Sequence, residues 1–382
     1  MRILVTVPWG ERLGGAEQML QTVLDGAQAS EHQLELLFLE PGSWPAELAR
    51  AGFHVEVISA GRLRQPHRLL SCVWRISRAL RRRRPEVILN WMPKTQLYCA
   101  PAALLAGMSG RVVWWQHEIA ADHWMDRCAT LLPARAVGCS SIAAARAQER
   151  LSPSRPTFVV APGTRIPSLA DAPAPLELPE DVPIVGMVGR LQPWKGQDRL
   201  LKAHLRLREG GVKLHTVLVG GDAHGLSSQY AASLPSLVAS LGLTDAVTMT
   251  GQVPDAGPYI ELMDIMVNAS DPEPFGIVLL EAMARGVAVV AVDSGGPAEI
   301  LQEGSGVLAR SGEPEALAEA LAPLLASPKL RERLGRAGRE RFLDQYTDEA
   351  MRERFFACLQ SVLDRPALDS SGGRPSPGTT PR

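Results

Sequence analysis

Two glutamates, Glu273 and Glu281, bracket the stretch EPFGIVLLE, and the chain runs on as AMARGVAVVAVDSGGPAEI through Ile300. A Phe-Gly pair between the acids enters a helix; an apolar strand over residues 287–292 and a second glycine pair, Gly295-Gly296, follow. Free N–H groups at a helix start favour an anion, and flanking carboxylates accept hydrogen bonds from hydroxyls. That order suits a pocket for a polyhydroxylated, phosphorylated ligand. A second segment supplies cations. The loop GRLQPWKG, residues 189–196, leaves an apolar strand and enters a helix. Arg190 and Lys195, five apart in such a loop, can grip a diphosphate from two directions. Taken alone, the same two residues also read as solvated surface cations.

The first half has weaker signals. Residues 10–17 read GERLGGAE, where Gly14-Gly15 lets backbone approach a ligand before Ala16 starts a helix. His117 ends the run VVWWQ and is followed by Glu118. No P-loop with a terminal Lys-Ser/Thr appears and no GxGxxG opens either half, so ATPase and nicotinamide dehydrogenase readings lose their usual support. Gly220-Gly221-Asp222 follows a strand, but a turn alone explains it.

The segment from Gly189 to Ile300 closely resembles the signature of retaining, nucleotide-sugar-dependent glycosyltransferases of the GT-B fold, in the family-four group. The resemblance implies roles residue by residue. Arg190 and Lys195 bind the donor's pyrophosphate, Glu273 hydrogen-bonds sugar hydroxyls and Glu281 holds the ribose. Amides around Phe275, Gly276, Ile277 and Val278 meet phosphate and sugar. The Gly14-Gly15 loop closes over the donor, His117 contacts the sugar, and backbone near Val253 touches the base. The catalytic set is then His117, Arg190, Lys195 and Glu273. The family works without a metal, so no cofactor is expected beyond a UDP- or GDP-linked donor. Two departures stand out: Glu118 replaces the usual Asp after the His, and APGT at 161–164 replaces Asn-Gly. Two rivals share the architecture: a non-hydrolysing sugar-nucleotide epimerase, and a catalytically silent nucleotide-binding subunit.

These residues need a scaffold, and 382 residues suit two domains. Apolar runs at 3–7, 87–89, 112–115, 137–139 and 158–160 alternate with amphipathic stretches in the first half. Runs at 184–188, 216–219, 247–249, 265–267, 287–292 and 307–308 do so in the second. Unbroken apolar strands between helices argue for parallel sheets covered on both faces. The expected fold is α/β, two Rossmann-like domains facing across a cleft. Residues 1–167 form the acceptor-side domain, 168–183 a Pro- and Ala-rich linker, and 184–348 the nucleotide-sugar domain. A helix over 349–366 is expected to cross back to the first domain, and 367–382 to be disordered.

The net charge of -1 conceals an imbalance. Residues 1–167 carry 20 Lys and Arg against 13 Asp and Glu; the remaining 20 basic residues face 28 acidic ones. A basic first half suits an anionic partner, such as a membrane surface or a phosphorylated acceptor, or simply helps the two halves meet. Arginines 81–84 follow a stretch with an apolar side, which reads as a peripheral membrane helix or a plain basic helix end. No recognition module accompanies these cations, so nucleic acid is not an expected partner. Five scattered cysteines form neither a disulfide framework nor a zinc site. No run is long enough to span a bilayer. The expected location is cytoplasmic, at most peripheral on the inner membrane face, with a saccharide or lipid-linked acceptor.

Overall fold

A computed structural model describes the chain except residues 13, 28–30, 62–64, 122, 168–175, 223, 224, 226, 303 and 366–382. The expected tail at 367–382 and half of the expected linker therefore lie outside the described residues. The first sheet contains β1 (Arg2–Val7), β2 (Gln33–Phe38), β3 (His54–Val57), β4 (Val87–Trp91), β5 (Val112–Gln116), β6 (Ala136–Cys139) and β7 (Thr157–Val159). The second contains β8 (Ile184–Val188), β9 (His215–Val219), β10 (Val247–Gly251), β11 (Ile265–Asn268), β12 (Ala288–Val292) and β13 (Val307–Ala309). All pairings are parallel, in the orders β3-β2-β1-β4-β5-β6-β7 and β10-β9-β8-β11-β12-β13.

The burial pattern explains why these strands form where they do. β4, β5 and β12 are buried at every position, as parallel strands covered on both faces require. β2 and β3 were not among the expected strands. Both carry charge, and both are stabilised from outside the sheet: Arg83 pairs with Glu35 of β2 and Glu56 of β3.

Each strand order reverses beside its first strand, which creates a crevice beyond the strands' carboxyl ends. In the first domain that point lies between β1 and β4; in the second it lies between β8 and β11. The loop after β8 carries Arg190 and Lys195, and the segment after β11 carries Glu273. Topology therefore brings together residues that lie 78 positions apart.

The last described helix, Asp348–Asp364, begins after the second domain and packs on the first. Met351, Phe355, Leu359 and Val362 recur at helical spacing and are all buried in the first domain's core. Phe355 sits 4.7 Å from Trp115 and 6.2 Å from Trp91, ring centre to ring centre. Burying one such aromatic stabilises by roughly 1.5–3 kcal/mol, so this helix anchors the far end of the chain to its beginning.

Candidate functional site

The segment bearing Glu273 is held against the end of β12. Its amide donates to the Ser294 carbonyl at 3.0 Å, and the Gly296 amide donates to the Glu273 carbonyl at 2.9 Å. Gly295, at φ +92°, is required here: a Cβ would lie 2.1 Å from the Glu273 carbonyl oxygen. The second glycine pair thus serves close backbone packing that fixes the first acid. Gly276, also at positive φ, starts the helix Ile277–Ala284, which places Glu281 on its second turn. Ile277 and Val278 are half-buried in that first turn. The Phe275 side chain packs in the core against Tyr346, so only its backbone is available to a ligand.

Lys195 Nζ stands 2.8 Å from Glu273 Oε2 and 4.0 Å from the centre of the Trp194 ring. Glu273 is 6% exposed and also accepts from Asn268 Nδ2 at 3.2 Å. Burial pushes this carboxyl upward, but the Lys195 charge and the hydrogen bonds outweigh it and hold the group below the usual carboxylate range. Sequence reasoning placed Lys195 on a phosphate and Glu273 on a sugar; without ligand the two neutralise each other. Asn268 was missed, because a lone polar residue ending an apolar strand has no periodic signal.

Arg190 lines a cavity of about 170 Å³ together with Gly189, Gly220, Gly221, Gln252, Val253 and Arg12 of the first domain. Its guanidinium has no hydrogen-bond partner among the described residues. It acts electrostatically on Glu118, whose carboxyl is raised by burial and by Asp126 and lowered by Arg190. Arg12, a further cation facing this space, was not anticipated; its side chain also contacts Glu47 at 3.2 Å.

The two domains meet at the acids. Gln18 Nε2 donates to Glu281 Oε1 at 3.0 Å, a contact spanning 263 positions. Burial raises the Glu281 carboxyl, with Gln18 and Arg285 opposing the shift. A Cβ on Gly15 would stand 3.0 Å from Ile277 Cδ1, so the first glycine loop abuts the start of the helix that carries Glu281. Gly14 is exposed beside it, and its carbonyl accepts from the Gln18 amide at 3.1 Å. Gln18 escaped sequence reasoning, since nothing local marks it as Glu281's partner.

His117 lies at the end of β5, its ring 4.5 Å from Trp91. Nδ1 meets Ser140 Oγ at 3.2 Å, while Nε2 is buried without a partner among the described residues. Burial pushes the imidazole down to about 3, so the ring is neutral at physiological pH. Two residues on, Ile119 comes within 3.1 Å of the space a Gly295 Cβ would fill. The two domains thus approach each other at Gln18 and Glu281, at Gly15 and Ile277, and at Ile119 and Gly295.

The arginine run behaves differently. Arg82 and Arg83 are tied to Glu56 and Glu35, and Arg83 is only 6% exposed, so part of the run is structural. On the same helix, Pro66–Arg83, Leu70 and Trp74 are exposed, with Arg78 stacked 5.0 Å from the Trp74 ring centre. Among the described residues, no helix is long and apolar enough to cross a membrane.

Residues 170–341 match the family described as glycosyl transferases group 1. The chain is 32% identical over 189 residues to the lipopolysaccharide core biosynthesis glycosyltransferase LpsE of Rhizobium meliloti, covering 49% of this chain and 53% of the relative. It is 37% identical over 204 residues to a D-inositol 3-phosphate glycosyltransferase of Segniliparus rotundus, covering 52% and 44%. The chain thus spans about half the length of these curated relatives. Among solved structures, Anabaena Alr3699/HepE in complex with UDP and glucose aligns with a TM-score of 0.81 at 23% identity, over 94% of this chain and all of that one. Sucrose-phosphate synthase from Thermosynechococcus elongatus aligns with a TM-score of 0.78 at 21% identity, over 94% and 98%. At these identities the likeness is one of fold, and the fold is GT-B: two parallel-sheet, Rossmann-like domains.

Proposed function

On the premise that residues 170–341 form a group 1 glycosyltransferase domain of the family-four type, we propose that the protein transfers a sugar from a UDP- or GDP-linked donor to an acceptor hydroxyl. The reading includes retention of the anomeric configuration and a role in building a cell-surface polysaccharide or glycolipid. One observation supports it: Lys195 and Glu273, a cation and an acid, pair at the switch point of the second sheet, with Arg190 lining a cavity at the end of β8.

The chemistry follows from charge. As the bond between sugar and nucleotide breaks, the electron pair leaves with the diphosphate and negative charge grows on its oxygens; the acceptor oxygen bonds to the anomeric carbon and its proton passes to the departing diphosphate. Arg190, Lys195 and the amides at Gly276, Ile277 and Val278 stabilise that charge, a task that needs no divalent ion in this reading. Before donor enters, the Lys195–Glu273 pair keeps both groups compensated in a buried place. On binding, phosphate replaces Glu273 as the partner of Lys195, and sugar hydroxyls replace Lys195 as the partner of Glu273. Glu281 accepts from the ribose in exchange for Gln18. Neutral His117 offers its unpartnered Nε2 to a sugar oxygen or hydroxyl, according to tautomer. Val253 supplies backbone beside the base, and Gly14-Gly15 admits the donor closely. The curated relatives act in lipopolysaccharide core synthesis and on inositol phosphate, which supports a saccharide or lipid-linked acceptor. Exposed Leu70 and Trp74 beside Arg78 fit peripheral attachment to an anionic inner membrane face.

The deciding experiment measures thermal stabilisation by UDP and by GDP, followed by nucleotide release from the matching sugar donor with and without saccharide acceptors. A ligand at about 100 times its Kd stabilises by about 2.7 kcal/mol, a clear shift in midpoint. No stabilisation by either nucleotide at millimolar concentration refutes the donor assignment. Conversion of the donor sugar with no acceptor present moves the reading to an epimerase.

A further inference from the structure

The chain crosses between the domains at a paired segment. The Thr164 amide donates to the Tyr346 carbonyl and the Asp348 amide donates to the Thr164 carbonyl, both at 3.0 Å. Beside this crossing, Glu299 of the second domain reaches the first. Its carboxylate oxygens accept from the Ile142 and Ala143 amides at 2.8 and 3.0 Å. These are the leading amides of the helix Ile142–Leu151, whose positive end suits a carboxylate. The helix has its own cap as well: Ser141 Oγ accepts from the Ala144 amide at 3.1 Å. Glu299 therefore does something other than complete a helix that lacks a cap.

Its own backbone is fixed to the crossing. The Glu299 carbonyl accepts from Arg341 Nη2 at 3.1 Å and from the Tyr346 hydroxyl at 3.3 Å. The short helix Pro297–Ile300 that carries it follows Gly296 directly, and Gly296 is bonded to the Glu273 carbonyl. One rigid path thus runs from the donor-side acid, through Glu299, into a helix of the acceptor-side domain.

We propose that Glu299 is a positioning residue: its bidentate grip on the 142–151 helix sets the angle between the domains and so how closely the end of β5, through Ile119, meets Gly295 beside the Glu273 backbone. The proposal rests on the transferase reading above for its kinetic consequence, but not for its structural one. Full-length Glu299→Ala and Ser141→Ala are compared with the wild type. In small-angle X-ray scattering without nucleotide, Glu299→Ala gives a more open profile and Ser141→Ala does not. In titrations with UDP and GDP, Glu299→Ala binds within about twofold of wild type, because the charged and base contacts expected for the nucleotide, Arg190, Lys195, Glu281 and Val253, lie in the second domain. Its kcat/KM falls by about 10- to 100-fold, the loss expected from hydrogen bonds to a charged acceptor, and the fall lies in kcat. A wild-type scattering profile for Glu299→Ala overturns the proposal. So does a loss of melting temperature and kcat that Ser141→Ala reproduces, which assigns Glu299 to the fold of one domain. Absence of UDP and GDP binding in the wild type refutes the donor reading instead, and scattering still decides the role of Glu299.

Discussion

Lys195→Ala strips Glu273 of its main counter-charge. The carboxylate is 6% exposed, the ammonium lies 2.8 Å away, and Asn268 Nδ2 at 3.2 Å is a weaker second partner. Removing one member of a buried pair costs about 3–5 kcal/mol, and the surviving amide donor puts this case near 3 kcal/mol. The effect depends on pH in a defined sense. In the wild type Glu273 titrates below its unfolded value, so the stability it contributes is full above that value and is lost as pH falls through the folded one. In the variant only burial remains strong, which raises the group. Its charged form is then penalised at high pH, and the penalty fades as the pH drops and the proton binds. The gap between wild type and variant is therefore widest near pH 8 and closes toward pH 4. Urea unfolding at pH 8, 6 and 4.5 measures it, and turnover with the donor falls by roughly 10²–10³. The double variant Lys195→Ala/Glu273→Gln recovers stability but not turnover, which separates the fold from the chemistry. A stability gap that stays constant with pH, or turnover near that of the wild type, refutes the reasoning.

Further outcomes follow from the same geometry. Arg190→Ala lowers turnover by about 10²-fold while stability stays within about 0.5 kcal/mol, because its guanidinium bonds to no described residue; donor turnover and urea unfolding check the two halves. Gly295→Ala forces a Cβ to within 2.1 Å of the Glu273 carbonyl at φ +92°, so it destabilises by about 3 kcal/mol or more; an unchanged melting temperature counts against this backbone path. His117, depressed to about 3 by burial, binds a proton in the unfolded chain before the folded one, so stability falls as pH drops below about 6.5. At pH 5 that term is about 2 kcal/mol, and the pH slope between 6.5 and 5 should flatten in His117→Gln; an unaltered slope means that the ring is hydrated.

Strands buried on both faces must be largely apolar, so β1, β4, β5, β8, β9, β11 and β12 could be read directly from the chain. The same local logic marked the cation loop at 190–195 and the acids at 273 and 281, since strand ends and helix starts are encoded by adjacent residues. β2 and β3 escaped because Glu35, Glu56 and His54 interrupt their apolar character, and Arg83 compensates two of those charges from a helix elsewhere in sequence. Only the tertiary structure could pair Gln18 with Glu281, Asn268 and Lys195 with Glu273, or Glu299 with the helix at 142. A hydrogen bond reads direction and distance in space, and single polar residues 157 or 263 positions apart leave no periodic trace of the partner they will meet. Local composition determined which segments become strands and which loops hold charge; strand order within the second sheet and the meeting of the two domains decided which polar groups face one another.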